Sequence, residues 1–188
     1  MIYPIVAYGN PILRKKAVAI EKNTDVKQLI VDMFETMEQA KGVGLAAPQI
    51  GKGFRLFVIN VPLFFETANK NGAYKKAFVN PWRIDEAGQL WNYEEGCLSI
   101  PDVQIDVTRK DSIQMRYFDA DWNKKEEVFT GITARIIQHE YDHLEGVLHV
   151  DYALPLRKKL LRSKLAAISN GKIEVAYKMA FPFKKTKC

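Results

Sequence analysis

The hydrophobic positions of this 188-residue chain change period several times along its length. Over residues 24–41, Val26, Leu29, Ile30, Met33, Phe34 and Met37 recur at helical spacing, which predicts an amphipathic helix with Thr24 as its cap and Gly42 and Gly44 beyond its end. Phe54 to Val61 is a run of β-branched and aromatic residues and predicts a buried strand. Residues 62–77, with Pro62, Asn69, Asn71 and Gly72, predict a loop-like excursion. Ser112 to Phe118 alternates Ile113, Met115 and Tyr117 and predicts a half-buried strand. Residues 119–123 predict a turn into a second strand, Glu126 to Thr130. A helix follows, with Thr130 as its cap and Gly146 at its end. A last helix is expected from Leu154 to Ile168, with Leu156, Leu160, Leu161, Leu165 and Ile168 inward. Short strands with a central helix and flanking helices predict an α+β fold of antiparallel strands around that helix.

The helix after Thr130 carries the informative chemistry. Gln138-His139-Glu140-Tyr141-Asp142-His143 places two imidazoles four residues apart, on one helical face. Ile132 and Ile136 continue the same stripe, so a metal-binding face would join an apolar core face. Two ring nitrogens can grip one ion from a rigid support, and Glu140 is left free to handle protons on an activated water. The implied reaction is hydrolysis. A catalytic site of this kind needs a third protein ligand, and the residues offer two. His143-x-x-Gly146-x-x-His149 completes a metzincin-like protease pattern, and Cys97 stands upstream in Glu95-Gly96-Cys97-Leu98-Ser99.

Length and composition fit one globular domain, and no apolar run reaches a membrane span. The apolar N-terminal stretch is followed, not preceded, by Arg14, Lys15 and Lys16, which is not the order of a secretory signal. Cys97 and Cys188 are the two cysteines, too few for a disulfide framework, so a cytoplasmic setting is expected. The net charge of +6 is uneven. Residues 155–188 hold ten Lys or Arg against one acid, Glu174, a net +9 that leaves −3 on the rest. A basic helix could meet RNA or another polyanion, although no nucleic-acid reader motif is present.

Three segments together resemble the peptide deformylases: Gly42-Val43-Gly44-Leu45-Ala46-Ala47-Pro48-Gln49, Glu95-Gly96-Cys97-Leu98-Ser99 and Gln138-His139-Glu140-Tyr141-Asp142-His143. Tyr8-Gly9-Asn10-Pro11-Ile12-Leu13-Arg14 is similar to that family's N-terminal region. The resemblance covers residues 1–168, and 169–188 would be a basic tail. It implies removal of the formyl group from the initiator methionine of nascent chains, and an α+β fold. It implies Cys97, His139 and His143 as metal ligands and Glu140 as the catalytic carboxylate. Gln49 and the backbone N–H of Leu98 would be the oxyanion donors. The ion would be Fe2+ in the cell, with Zn2+ or Ni2+ able to replace it. Partners would be N-formylmethionyl peptides and, through the basic helix, the ribosome, with the protein a monomer.

Further expectations concern the surroundings of the site. Gly42 and Gly44 would let a peptide backbone approach closely. Val43, Gly44, Ile132 and Ile136 are candidates to bind substrate, the larger three as an apolar pocket for its methionine side chain. Glu95, paired with Arg109, would orient the cysteine loop. Arg135 would either modify the pocket rim or point away. The rival to all this is a protease using His149; a binding protein without activity is a second rival.

Overall fold

The computed structural model describes residues 1–61 and 74–182. A five-stranded antiparallel sheet runs in the order β2 (Gly44–Ala46), β3 (Leu56–Val61), β4 (Tyr74–Cys97), β5 (Ile100–Phe118) and β6 (Lys124–Thr130). β1 (Ile5–Val6) and β7 (Met179–Ala180) form a separate parallel pair. Three α-helices accompany the sheet among the described residues: α1 (Lys27–Gln39), α2 (Gly131–Leu144) and α3 (Pro155–Ser169). The fold is α+β, as the sequence predicts.

Strand β3 shows why the core has two sides. Successive side chains on a strand point to opposite faces. Phe57 and Ile59 join Phe78, Ile113, Met115, Tyr117 and Phe129 against Ile136, Ile137, Tyr141 and Leu144 of α2. Leu56 and Val58 face the other way, onto Ile30, Met33 and Met37 of α1. β3 is therefore buried on both faces and reads as an apolar run interrupted at Asn60. A third cluster packs Ile100, Val103, Ile105 and Val107 of β5 against Leu148, Val150, Leu161 and Ile168.

Several expectations need correction. α1 begins at Lys27, not at Thr24; the Thr24 hydroxyl donates to the Glu21 carbonyl instead. Val26 holds the cap position, and the Asp25 carboxylate accepts from the Lys27 N–H. Phe54 lies outside β3, in an isolated bridge with Val18. Residues 74–77 belong to β4, and the rest of the expected 62–77 loop lies outside the described residues. The strand expected at 112–118 is the second half of a 19-residue strand, and β4 is longer still at 24 residues. β4 keeps Pro81 by breaking register there, between Val79 and Trp82. Thr130 sits at the cap of α2, but its side chain makes no capping bond. Gly146 does end that helix region: its φ of +75° suits glycine, and a Cβ would lie 2.6 Å from the Arg14 carbonyl oxygen.

α3 forms where expected but buries less. Leu161 and Ile168 are inward, whereas Leu156 and Leu160 are 68% and 66% exposed. Beyond it, the segment to residue 182 returns across the molecule. The Ile5 N–H donates to the Lys178 carbonyl and the Ala7 N–H to the Ala180 carbonyl, at 2.8 and 2.9 Å.

Candidate active site

Three elements bring the chemistry together. β4 ends at Cys97, and the two residues Leu98 and Ser99 turn the chain into β5, with Cys97 paired to Ile100. α2 packs against the sheet and delivers His139, Glu140 and His143. The turn after β2 delivers Gln49. The Sγ of Cys97 and one ring nitrogen from each of His139 and His143 lie within 4.8 Å of one another. Cys97 Sγ and His143 Nε2 are 3.3 Å apart.

Glu95 organises the region behind this cluster. It is 6% exposed. Its Oε2 is 2.9 Å from His139 Nδ1, so Nε2 of that ring is the nitrogen turned to the cluster. Arg109 grips Glu95 with two parallel bonds, Nε to Oε1 at 2.8 Å and Nη2 to Oε2 at 3.0 Å. Arg109 also donates to Asp142 Oδ2 at 2.7 Å, where the Tyr152 hydroxyl adds a second donor at 2.9 Å. The expected Glu95–Arg109 pair is therefore present, within a larger network.

Two residues of α2 extend the network, and one of them, Arg135, also lines the cleft, the first of its two expected placements. Arg135 is 2% exposed and donates from Nη1 to Glu95 at 2.9 Å. It also donates to the carbonyls of Val107 and Trp91, and stacks its guanidinium 4.4 Å from the Trp91 ring centre. Asp142 supplies the second buried acid, so two arginines face two carboxylates and the network is neutral as a whole. The available signal was helical spacing: Arg135 and Asp142 stand four before and three after His139.

Burial and neighbouring charge compete at each titrating group. Burial alone would raise Glu95, but bonds from His139 and Arg109 hold its carboxyl well below the usual range. Burial likewise opposes ionisation of Cys97, yet the adjacent His143 and His139 rings pull its thiol well below its ordinary value. Glu140 has no such donors. Burial pushes its pKa up to about 7, and its Oε2 is buried without a hydrogen-bond partner. A thiolate, two imidazoles and an unpartnered carboxylate with a near-neutral pKa fit a divalent ion and a proton carrier beside it.

Cys97, His139 and Glu140 line a cleft of about 530 Å³. Val43, Gly44, Ile132 and Ile136 are on its wall, as are Gln49 and Leu98. The Gln49 amide nitrogen faces Cys97 Sγ at 3.5 Å and Ser99 Oγ at 3.4 Å, while its Oε1 accepts from the Ala46 N–H at 2.8 Å. Gly44 also makes room for the carboxylate: a Cβ there would lie 2.3 Å from Glu140 Oε1. Gly42 similarly leaves room for the Leu98 side chain.

His149 does not join the cluster. It starts a short 3-10 turn, His149–Tyr152. It is buried, with Nε2 3.1 Å from the Val103 carbonyl oxygen. Its ring centre is 5.9 Å from that of His139. The metzincin arrangement is not favoured.

A largely buried Cys-His-His cluster on a helix–sheet scaffold, with a free carboxylate at its side, is the layout of a metal-dependent hydrolase. Comparison with known proteins narrows the class. The family model described as polypeptide deformylase matches residues 2–159. A peptide deformylase of Cytophaga hutchinsonii is 53% identical over 186 residues, 98% of this chain and 100% of that protein. One of Christiangramia forsetii is 48% identical over 97% of each chain. Among solved structures, the peptide deformylase of Ehrlichia chaffeensis superposes with a TM-score of 0.83 at 29% identity, covering 92% of this chain and 99% of the other. That of Thermotoga maritima gives 0.73 at 37% identity, covering 82% and 99%. The chain belongs to the peptide deformylase family, enzymes that remove the N-formyl group from nascent polypeptides.

Proposed function

We propose that Cys97, His139 and His143 hold one catalytic divalent ion and that Glu140 carries the proton of the hydrolysis. The observation behind this reading is the convergence of the three ligand atoms within 4.8 Å beside a buried, unpartnered Glu140 oxygen. The ion would act as a Lewis acid and make water a nucleophile at neutral pH. Fe2+ is the proposed ion in the cell, with Zn2+ or Ni2+ able to take its place; a mixed sulfur–nitrogen donor set suits all three.

The chain's own residues do the rest. Glu140 accepts the proton of the attacking water and returns it to the departing amine, which would otherwise leave as an amide anion. The Gln49 amide and the Leu98 N–H donate to the oxygen that becomes negative as the formyl carbon turns tetrahedral. One such donor supplies ~3–4 kcal/mol. β2 is an edge strand of the sheet, and Gly44 at its start lines the cleft. A substrate backbone can therefore lie extended along it, as peptides do at free sheet edges. Val43, Ile132 and Ile136 then surround the methionine side chain. Glu95, held by Arg109, keeps His139 in the correct tautomer.

The third ligand is tested by a pair of variants. Cys97→Ala is expected to lose tight metal binding and deformylation together. His149→Phe is expected to keep both and to lose ~1–2 kcal/mol of stability, for the bond to Val103. Metal analysis after dialysis, beside a formyl-Met-peptide assay, reads out each. The opposite pattern, with cleavage of unformylated peptides, would return the chain to the protease reading.

The helix α3 is also proposed as a ribosome contact. Arg157, Lys158, Lys159, Arg162 and Lys164 are all exposed and form no ion pair among the described residues. Exposed Leu154, Leu156 and Leu160 lie among them. A basic surface with apolar spots suits an RNA–protein assembly from which the substrate emerges.

A further inference from the structure

The family match ends at residue 159, yet the segment beyond α3 reaches the catalytic cleft. Glu174, Val175, Ala176 and Tyr177 line it, on the side of Leu98, Pro101 and Asp102. The Tyr177 hydroxyl donates to the Leu98 carbonyl oxygen at 2.8 Å. The Tyr177 ring also packs in the same apolar cluster as the Leu98 side chain. Burial, with Cys97 and Asp102 nearby, pushes the Tyr177 phenol up to about 12, so it remains a donor at neutral pH.

The other end of the chain completes the arrangement. The Tyr8 N–H donates to the Ser99 carbonyl at 2.9 Å. Both carbonyls of the Leu98–Ser99 turn are thus held, one by each terminal segment. Those segments are tied to each other by the β1–β7 pair, with Ile5 opposite Met179 and Val6 opposite Ala180. A two-residue turn has few contacts of its own with which to fix a peptide plane. Here the fixing comes from outside the hairpin.

We infer that residues 174–177 form a working wall of the substrate cleft, in which Tyr177 positions the Leu98 turn and Glu174 faces the substrate residues that follow formyl-methionine. This rests on the donor role given to the Leu98 N–H above. Tyr177 touches no reacting atom; it acts through the peptide it holds. Glu174 is exposed at the cleft and has no ion-pair partner among the described residues. Glu94 and Asp102 line the same cleft, against Lys41. The cleft mouth therefore favours substrates with Lys or Arg after the methionine over those with Asp or Glu.

The test uses the full-length, metal-loaded enzyme and three variants. Tyr177→Phe removes the hydroxyl and keeps the ring. It should lower kcat and kcat/KM by the same factor, about 5- to 20-fold, because a misaligned oxyanion donor is missed only in the transition state. Metal content should be unchanged; a merely structural role would lower the melting temperature and leave kcat of the folded fraction intact. Glu174→Lys, at an exposed position, should shift the kcat/KM ratio of formyl-Met-Lys to formyl-Met-Glu peptides about threefold or more toward the acidic substrate, and less at high salt. Gln49→Leu reports on the donor reading itself. If it is impaired while Tyr177→Phe has wild-type kcat, the positioning role is overturned alone. If Gln49→Leu is as fast as wild type, the donor reading fails and takes the Tyr177 positioning role with it. An unchanged peptide ratio in Glu174→Lys would overturn the wall.

Discussion

Helices α2 and α3 have nearly the same length, 14 and 15 residues, and opposite fates. Both carry apolar residues at helical spacing. In α2 every residue from Thr133 to Leu144 is buried, including Arg135, Gln138, His139, Glu140, Asp142 and His143. In α3 only Leu161, Ile168 and Ser169 are. The difference lies in what the polar residues can pair with. Around α2, β4 and β5 supply Glu95, Arg109 and the backbone carbonyls of Trp91, Val107 and Lys110. Buried polar groups are tolerated where partners are supplied. Around α3 the partners on offer are surface carbonyls, those of Gln104, Asp151 and Asp102 to Arg157, Lys158 and Lys164, and these side chains stay exposed. A polar residue on a helix thus marks the exposed side only when the rest of the fold offers it no buried partner.

The largest expected effect falls on the one buried polar side chain of α2 that is left with a free oxygen. Glu140→Ala is expected to lower kcat by at least ~100-fold while metal stoichiometry stays at wild-type level. Metal content and turnover measured on the same sample decide it. Stoichiometric loss of metal would make Glu140 a ligand and remove the contrast with its paired neighbours.

A medium effect is expected where pairing is densest. Glu95→Gln leaves Arg109 and Arg135 buried with half their acceptor charge gone, at a cost of about 3 kcal/mol near pH 7. The sign with pH follows from the depressed carboxyl of Glu95. Its contribution is present above the unfolded value of ~4.3 and is lost as pH falls toward the lower folded value. The gap between wild type and Glu95→Gln should narrow on acidification. Urea denaturation at neutral pH and below pH 4 measures it, and a gap that stays constant would show that Glu95 acts by shape and not by charge.

The smallest effects belong to α3. Leu156→Ala and Leu160→Ala should change stability by no more than ~0.5 kcal/mol, whereas Leu161→Ala should cost about 2–3 kcal/mol. Charge reversal at Arg157, Lys158, Lys159, Arg162 and Lys164 should leave peptide turnover near wild type and weaken ribosome cosedimentation in a salt-dependent way. Equal costs for all three leucines would mean that α3 is packed on both faces and that the comparison with α2 is wrong.

What could be read from the sequence follows the same division. The ligands, Glu140 and Gln49 stand in compact motifs, so their chemistry was visible without coordinates. Helix α2 is legible from the spacing of Ile132, Ile136, His139 and His143, and strand β3 from its β-branched and aromatic run, although α2 is buried well beyond that stripe. Val103, Ile105, Val107 and Arg109 also alternate with polar residues, so the first half of β5 is legible in the sequence as well, with Arg109 at an inward position. β4 was not legible. Its Trp82 and Leu90 are exposed, and register shifts near Pro81 and Gly88 interrupt any alternation. Arg135 and Tyr177 could not be placed because their roles rest on partners more than 25 residues away, at Glu95 and Leu98.

Gly44 has a consequence for drug resistance. An inhibitor lying along β2 would press on a position where any larger side chain collides with the carboxylate that carries the proton. The enzyme cannot narrow that part of the cleft without disabling itself. Escape substitutions should therefore gather at Val43, Ile132 and Ile136, where side chains already exist and can change size. A compound that draws its affinity from the backbone of residue 44 leaves the fewest routes of escape.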